Sequence, residues 1–85
     1  MPAIKLYANL RQLAGTKELS VTGSTVRAAL SELVKMNPPL GEVIFENGKL
    51  RPQIVVTING RHAVELDALL TERDVVAIFP PITGG

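Results

Sequence analysis

One segment of this chain places apolar residues at helical spacing. Val26, Ala29, Leu30, Leu33 and Val34 fall at i, i+3, i+4, i+7 and i+8, a single stripe along an amphipathic helix. Arg27, Ser31, Glu32 and Lys35 lie largely outside the stripe. Gly23-Ser24-Thr25 stands in front of it, where the Ser24 or Thr25 hydroxyl can accept a backbone N–H and cap the helix. A capping box is missing, because Arg27 and Ala28 occupy the positions three residues on. Asn37-Pro38-Pro39 stops the helix, since proline disfavours a helical residue before it and cannot donate. A lone helix with one apolar stripe must bury it against something, and the rest of the chain supplies strands.

Residues 3–8 alternate, with Ile4, Leu6 and Ala8 on one side and Lys5 and Tyr7 on the other, as in a half-buried strand. Residues 9–16 read as a connection, and residues 17–22 alternate again with Leu19 and Val21 inward, giving an antiparallel pair joined by a long loop. Residues 40–51 are ambiguous: Val43, Ile44 and Phe45 suit a turn of helix or a short strand, and Asn47-Gly48 is a turn signal. Residues 53–59 form the strongest strand, rich in β-branched side chains, and Asn59-Gly60 is a hairpin turn requiring positive φ. Residues 61–64 would pair back. Leu66, Leu69 and Leu70 are expected to add core, and Asp74 precedes a last strand over residues 75–79 that Pro80 ends. One helix over one face of a mixed sheet of four to five strands is an α+β layout. The expected organisation is one domain over residues 1–79 and an extended, flexible tail over residues 80–85.

At 85 residues and 46 % apolar content, the chain can form a small core without staples. It has no cysteine, which excludes disulfides, thiolate-held clusters and a cysteine nucleophile. The formal charge of +1 is spread along the chain, with no basic stripe for nucleic acid. Its apolar runs are too short to span a membrane, and Met1-Pro2-Ala3-Ile4-Lys5 has no signal-peptide layout, so the expectation is a soluble cytoplasmic protein without nucleic-acid or membrane partners.

The sequence closes on Pro80-Pro81-Ile82-Thr83-Gly84-Gly85. The glycines have no Cβ, so this ending is thin and adaptable. The prolines stiffen its base and remove two N–H donors, and fully extended it reaches roughly 20 Å at about 3.3 Å per residue. A terminal carboxylate is ionised at neutral pH and is a poor electrophile. Nothing in the chain can activate it: there is no phosphate-binding Gly-x-x-x-x-Gly-Lys loop and His62 is the single histidine. Activation must therefore come from a partner.

The whole chain resembles the β-grasp, ubiquitin-like proteins, and within them the sulfur-carrier family of the molybdopterin synthase small subunit and the thiamine sulfur carrier. The residues carrying this are the Phe79-Pro80-Pro81-x-x-Gly84-Gly85 ending, Leu10-Arg11-Gln12-Leu13-Ala14-Gly15, Thr25-Val26 and Val56-Thr57-Ile58-Asn59-Gly60-Arg61. Leu70-Thr71-Glu72-Arg73-Asp74 resembles the family's approach to the last strand, with Glu72-Arg73 in place of a more usual Gly-Asp turn. The proline pair resembles the molybdopterin synthase subunit more than the thiamine carrier. The resemblance implies a non-catalytic carrier that binds no cofactor stably. An E1-like enzyme using ATP adenylates Gly85, and a separate sulfur donor converts it to a thiocarboxylate. A molybdopterin synthase large subunit is then the expected second partner. Thiamine, tRNA thiolation and cysteine synthesis stay open as destinations, as do a protein modifier joined to lysines through Gly85 and a binding module that uses only its sheet.

Strand alternation sends Tyr7 and Phe79 to the side of the sheet away from the core, on strands that neighbour each other in a β-grasp sheet. The family places a hydrophobic partner patch there, so Tyr7 and Phe79 are the candidate docking residues, with Pro80, Pro81, Ile82, Thr83 and Gly84 threading the tail and Gly85 reacting. Phe45 is expected in the core. His62, Glu65 and Asp67 read as a solvated loop, since acidic neighbours without a second histidine make a weak metal site. Arg11, Arg51, Arg61 and Arg73 read as surface charge that can rim a partner interface.

Overall fold

The computed structural model of the chain describes residues 1–62 and 65–80. Among them the elements run β1 (Ala3–Leu6), α1 (Asn9–Ala14), β2 (Glu18–Ser20), α2 (Val26–Met36), α3 (Pro38–Ile44), β3 (Phe45–Glu46), β4 (Lys49–Leu50), β5 (Val55–Ile58), β6 (Arg61–His62) and β7 (Val75–Phe79). A mixed sheet in the order β2-β1-β7-β5-β6 carries the fold, and β3-β4 forms a small separate hairpin. β1 and β7 are parallel, and every other pairing is antiparallel. This is the expected α+β, β-grasp layout. No helix among the described residues is long and apolar enough to cross a membrane.

The helical stripe does what its spacing requires. Val26, Ala29, Leu30 and Leu33 are buried against Ile4 and Leu6 of β1, Val56 of β5 and Val76 and Ile78 of β7, within one core cluster. Thr25 is the cap: its Oγ1 accepts the Ala28 N–H at 3.1 Å. The next free donors of the first turn are met from outside the helix. Val26 N–H donates to the Ala68 carbonyl at 3.0 Å and Arg27 N–H to the Leu66 carbonyl at 2.7 Å. The segment before β7 thus seals the start of α2, leaving no orphaned donor there.

Several expectations are corrected. Residues 9–16 are not a plain loop, because α1 occupies Asn9–Ala14 and closes on Gly15 in the left-handed region (φ 76°). Ala8 is not an inward strand residue. β1 ends at Leu6, and Ala8 is exposed at φ 53°, where the chain reverses into α1. Residues 38–44 resolve as helix: Pro38 starts α3, where its missing N–H costs nothing, and Leu40 and Ile44 are buried. Gly41 lets α3 approach α2, since a Cβ there would lie 2.9 Å from a Val34 methyl. The strand expected over residues 53–59 is shorter, β5 beginning at Val55, because Arg51–Ile54 closes a turn through Ile54 N–H to the Arg51 carbonyl. Leu69 is not core. It forms a bridge with Thr25 while its neighbour Leu70 turns inward, and extended backbone sends successive side chains to opposite sides, leaving Leu69 80 % exposed. In the expected return strand, Arg61–His62 pairs with β5 and residues 63–64 lie outside the described residues.

The Asn59-Gly60 turn takes the expected positive φ at both residues, 52° and 85°. It is also tied to β7. Asn59 Nδ2 donates to Asp74 Oδ1 at 2.8 Å, and Asn59 Oδ1 accepts the Val75 N–H at 2.9 Å. Asp74 Oδ2 accepts the Thr71 N–H at 2.7 Å. The Thr71 backbone hydrogen bond first, and then the Asn59 side chain, hold the Asp74 carboxyl below the usual carboxylate range. A carboxyl depressed in the folded state stabilises it above the unfolded pKa, and this contribution is lost as pH falls through the folded value. Wild-type melting temperature should therefore drop as pH is lowered below about 4, near the unfolded Asp value. In Asp74→Ala that part of the acid dependence should vanish, as calorimetry across pH 2–6 would read, with those limits chosen to bracket carboxylate titration on the order of pH 4.

Gly23 packs directly under α2, and a Cβ there would meet the Ala29 backbone nitrogen at 2.7 Å. Backbone cannot move aside as a side-chain tip can. Gly23→Ala should cost about 1–3 kcal/mol in denaturant unfolding. A change below a few tenths would mean the loop shifts freely.

Candidate functional site

β7 is the central strand, so whatever follows Phe79 leaves from the middle of the sheet rather than from an edge. Its register is fixed on both sides. Val76 and Ile78 stand beside Ile4 and Leu6 of β1, and Ile78 and Phe79 stand opposite Val56 and Val55 of β5. Val76 and Ile78 are fully buried beneath α2. The pleat then sends Val75, Ala77 and Phe79 to the face without helices, alongside Lys5 of β1 and Val55 and Thr57 of β5.

Tyr7 stands one residue past the last registered pair, Leu6 with Ile78. The reversal at Ala8 (φ 53°, ψ −129°) is a conformation that favours glycine. It is held by Leu10 N–H to the Tyr7 carbonyl and Arg11 N–H to the Ala8 carbonyl, both at 3.1 Å. The Tyr7 ring is left on the open face, where it stacks on Phe79 with centroids 4.5 Å apart and planes 13° from parallel. Tyr7 remains 38 % exposed, and Phe79 and Pro80 are half-buried. The structure therefore brings Tyr7 and Phe79 into direct contact at the root of the tail. The tail residues Pro81, Ile82, Thr83, Gly84 and Gly85 lie outside the described residues.

Phe45 is half-buried and packs against the core cluster. His62 stands on β6 opposite Thr57, whereas Asp67 pairs with Arg27 of α2 at 3.1 Å. Among the described residues no three metal-capable side chains converge. Arg51 is a structural group: its Nε donates to the Glu42 carbonyl at 2.9 Å and its guanidinium lies 3.8 Å from Glu46. Arg11 instead lines a cleft beside Tyr7, together with Lys5, Leu6, Lys17 and Glu18. Sequence reasoning did not find this cleft. The alternation that set Lys5 on the same side as Tyr7 was its signal, and the approach of Lys17 depends on the β1–β2 pairing. The described part of the site offers a hydrophobic seat beside a charged cleft, an arrangement suited to docking.

Comparison with known proteins gives a consistent picture. The Small archaeal modifier protein 3 of Haloferax volcanii is 31 % identical, over 96 % of this chain and 96 % of that protein. The molybdopterin synthase sulfur carrier subunit of Arabidopsis thaliana is 35 % identical, over 96 % of this chain and 80 % of that one. Among solved structures, the small archaeal modifier protein 1 of Methanosarcina acetivorans superposes with a TM-score of 0.91 at 38 % identity, covering 99 % of this chain and 95 % of that one. The ThiS family model matches residues 4–85, the central β7 and the Gly-Gly ending both fall within that match, and the chain belongs to the ThiS family of ubiquitin-like sulfur carriers and modifiers.

Proposed function

We propose that this protein carries sulfur on its C-terminal glycine, with molybdopterin as the destination. The observation that carries the proposal is the stacked Tyr7–Phe79 pair at the base of a tail that leaves the central strand and ends in Gly84-Gly85. An E1-like activating enzyme seats the apolar pair, and Pro80 and Pro81 aim the following residues into its nucleotide site. There a Gly85 carboxylate oxygen attacks the α-phosphorus of ATP, expelling pyrophosphate and leaving an acyl-adenylate. A persulfide or sulfide donor attacks the Gly85 carbonyl carbon, and AMP departs with the bonding pair. Cleavage of any remaining S–S bond by a reductant leaves the thiocarboxylate. ATP and sulfur donor are consumed at the partner, in the cytoplasm. The carrier itself supplies the seat, the reach and the reacting terminus. The molybdopterin synthase large subunit then takes the tail and holds the sulfur acceptor, a destination supported by the Phe-Pro-Pro-x-x-Gly-Gly ending.

A second reading shares every step up to the adenylate. In it a lysine amine in place of sulfur attacks Gly85, forming an isopeptide. It is favoured by the likeness to archaeal proteins named as modifiers, at 31 % and 38 % identity. The two readings part at the nucleophile alone.

Intact mass spectrometry of protein isolated from its own cells separates them. The carrier reading expects one oxygen exchanged for sulfur, a gain of about 16 Da localised to Gly85 and absent from a chain lacking Gly84-Gly85. Lysine conjugates without any thiocarboxylate would favour the modifier. Adenylation that survives removal of both glycines would defeat both.

The seat makes a separate prediction. Tyr7→Ala with Phe79→Ala removes a stacked pair worth about 0.5–1.5 kcal/mol beyond its buried area, so unfolding stability should fall modestly. Ile78→Ala, in the core, should cost about 2–5 kcal/mol. Affinity for the activating enzyme should order the other way, the aromatic double variant losing roughly tenfold or more. A melting loss in that variant as large as that of Ile78→Ala would place the aromatics in the core.

A further inference from the structure

Beside the aromatic seat lies a cleft of ≈ 310 Å³ lined by Lys5, Leu6, Tyr7, Arg11, Lys17 and Glu18. It gathers three of the nine cationic side chains and one of the eight acidic ones in a chain of net charge +1. Two elements and the loop before β2 deliver the cations. Lys5 comes from the outer face of β1, and Arg11 from α1 just past the reversal at Ala8. Lys17 is held alongside by its carbonyl, which accepts the Leu6 N–H at 2.9 Å. Among the described residues the ion pairs within 4.0 Å are Arg27–Asp67 and Arg51–Glu46, so none of these three cations pairs with a described carboxylate. Tyr7 belongs to both features, lining the cleft and stacking on Phe79.

We infer that this cleft receives a carboxylate-bearing segment of the protein that seats the Tyr7–Phe79 pair. The inference rests on the docking role proposed for that pair. A partner covering the stack must also take the adjoining cleft out of water, since Tyr7 is common to both. Cations losing their hydration without a counter-charge are costly, so a fitting partner sets Asp or Glu side chains against Lys5, Arg11 and Lys17. The excess positive charge then steers encounter, which is what charges around an apolar seat do best. A nucleic acid fits less well. Its binding needs cations strung along a backbone track, whereas these three share one short cleft.

The test is a titration of the isotope-labelled full chain, followed by amide NMR, with a synthetic peptide alternating Glu and Leu. A Gln-Leu peptide, inorganic pyrophosphate and a single-stranded oligonucleotide are the comparison probes. The Glu-Leu peptide should shift amides at Lys5, Tyr7, Arg11 and Lys17, and its Kd should weaken at least about fivefold between 50 mM and 500 mM salt, a range over which the screening length falls severalfold. Lys5→Gln with Lys17→Gln should weaken it at least about threefold, as rim charges do. Glutamine is chosen because a carboxylate at position 5 would face Glu18 across the strands. Equal binding of the Gln-Leu peptide, shifts confined to other surfaces, an unaltered double variant, or tighter seating of pyrophosphate or oligonucleotide in the cleft would each overturn the inference. Failure here leaves thiocarboxylate formation at Gly85 intact. Absence of any Gly85 adduct, with peptide binding retained, would instead strike the carrier reading alone.

Discussion

The parallel pairing of β1 with β7 is the contact on which the rest of this structure depends. It joins Ala3 to Val75 and Leu6 to Ile78, near opposite ends of the chain, and every other element must be placed in the span between them. A parallel pair cannot be closed by a tight turn. The intervening chain forms β2 against one side of the pair, crosses the inner face as α2 and α3, and returns as β5 on the other side. The helices can cover only one face on that route. The outer face is consequently left to side chains alone, and it is there that Ala77, although on the uncovered side, is nearly buried beneath its neighbours.

The same pairing explains the local tethers. β7 has to begin where β1 begins, and Ala3 N–H donates to the Asp74 carbonyl at 3.1 Å at that end. Asp74 and Asn59 fasten the β5–β6 turn to the same point, while Leu66 and Ala68 carbonyls fasten the preceding segment to the start of α2. The end of β7 at which the tail leaves carries no comparable polar latch among the described residues. Stacking of Tyr7 on Phe79 takes that place. The polar ties thus stand at one end of the strand, and the apolar surface a partner can cover stands at the other.

How much of this was readable depends on how far each signal reached along the chain. The α2 stripe, the Thr25 cap, the Asn59-Gly60 turn and the bounds of β7 are carried by adjacent residues, and the structure keeps them. α1 was missed because six residues with one buried side chain, Leu10, make no periodicity. α3 was ambiguous because its two prolines read as a stop for α2, although they also start the next helix. Leu69 was misplaced because its direction is set by a bridge to Thr25, 44 positions away in the numbering, and not by its own hydropathy. The meeting of Tyr7 with Phe79 was legible from alternation once β1 and β7 were taken as neighbours. The Lys5–Arg11–Lys17 cleft was not, since it needs the β2 register and the unforeseen α1 together.

Seat and tail are products of one register. Because Leu6 stands beside Ile78, Tyr7 falls beside Phe79, and the residue after Phe79 is the first of the tail. A slip of one residue in β7 would turn Val76 and Ile78 to the open face and bring Val75, Ala77 and Phe79 inward, replacing a core set that fits the helices with one that does not. The fully buried Val76 and Ile78 oppose that slip with the packing of the whole inner face. The position of the Tyr7–Phe79 stack at the end of β7 is therefore held by core packing on the opposite side of the sheet.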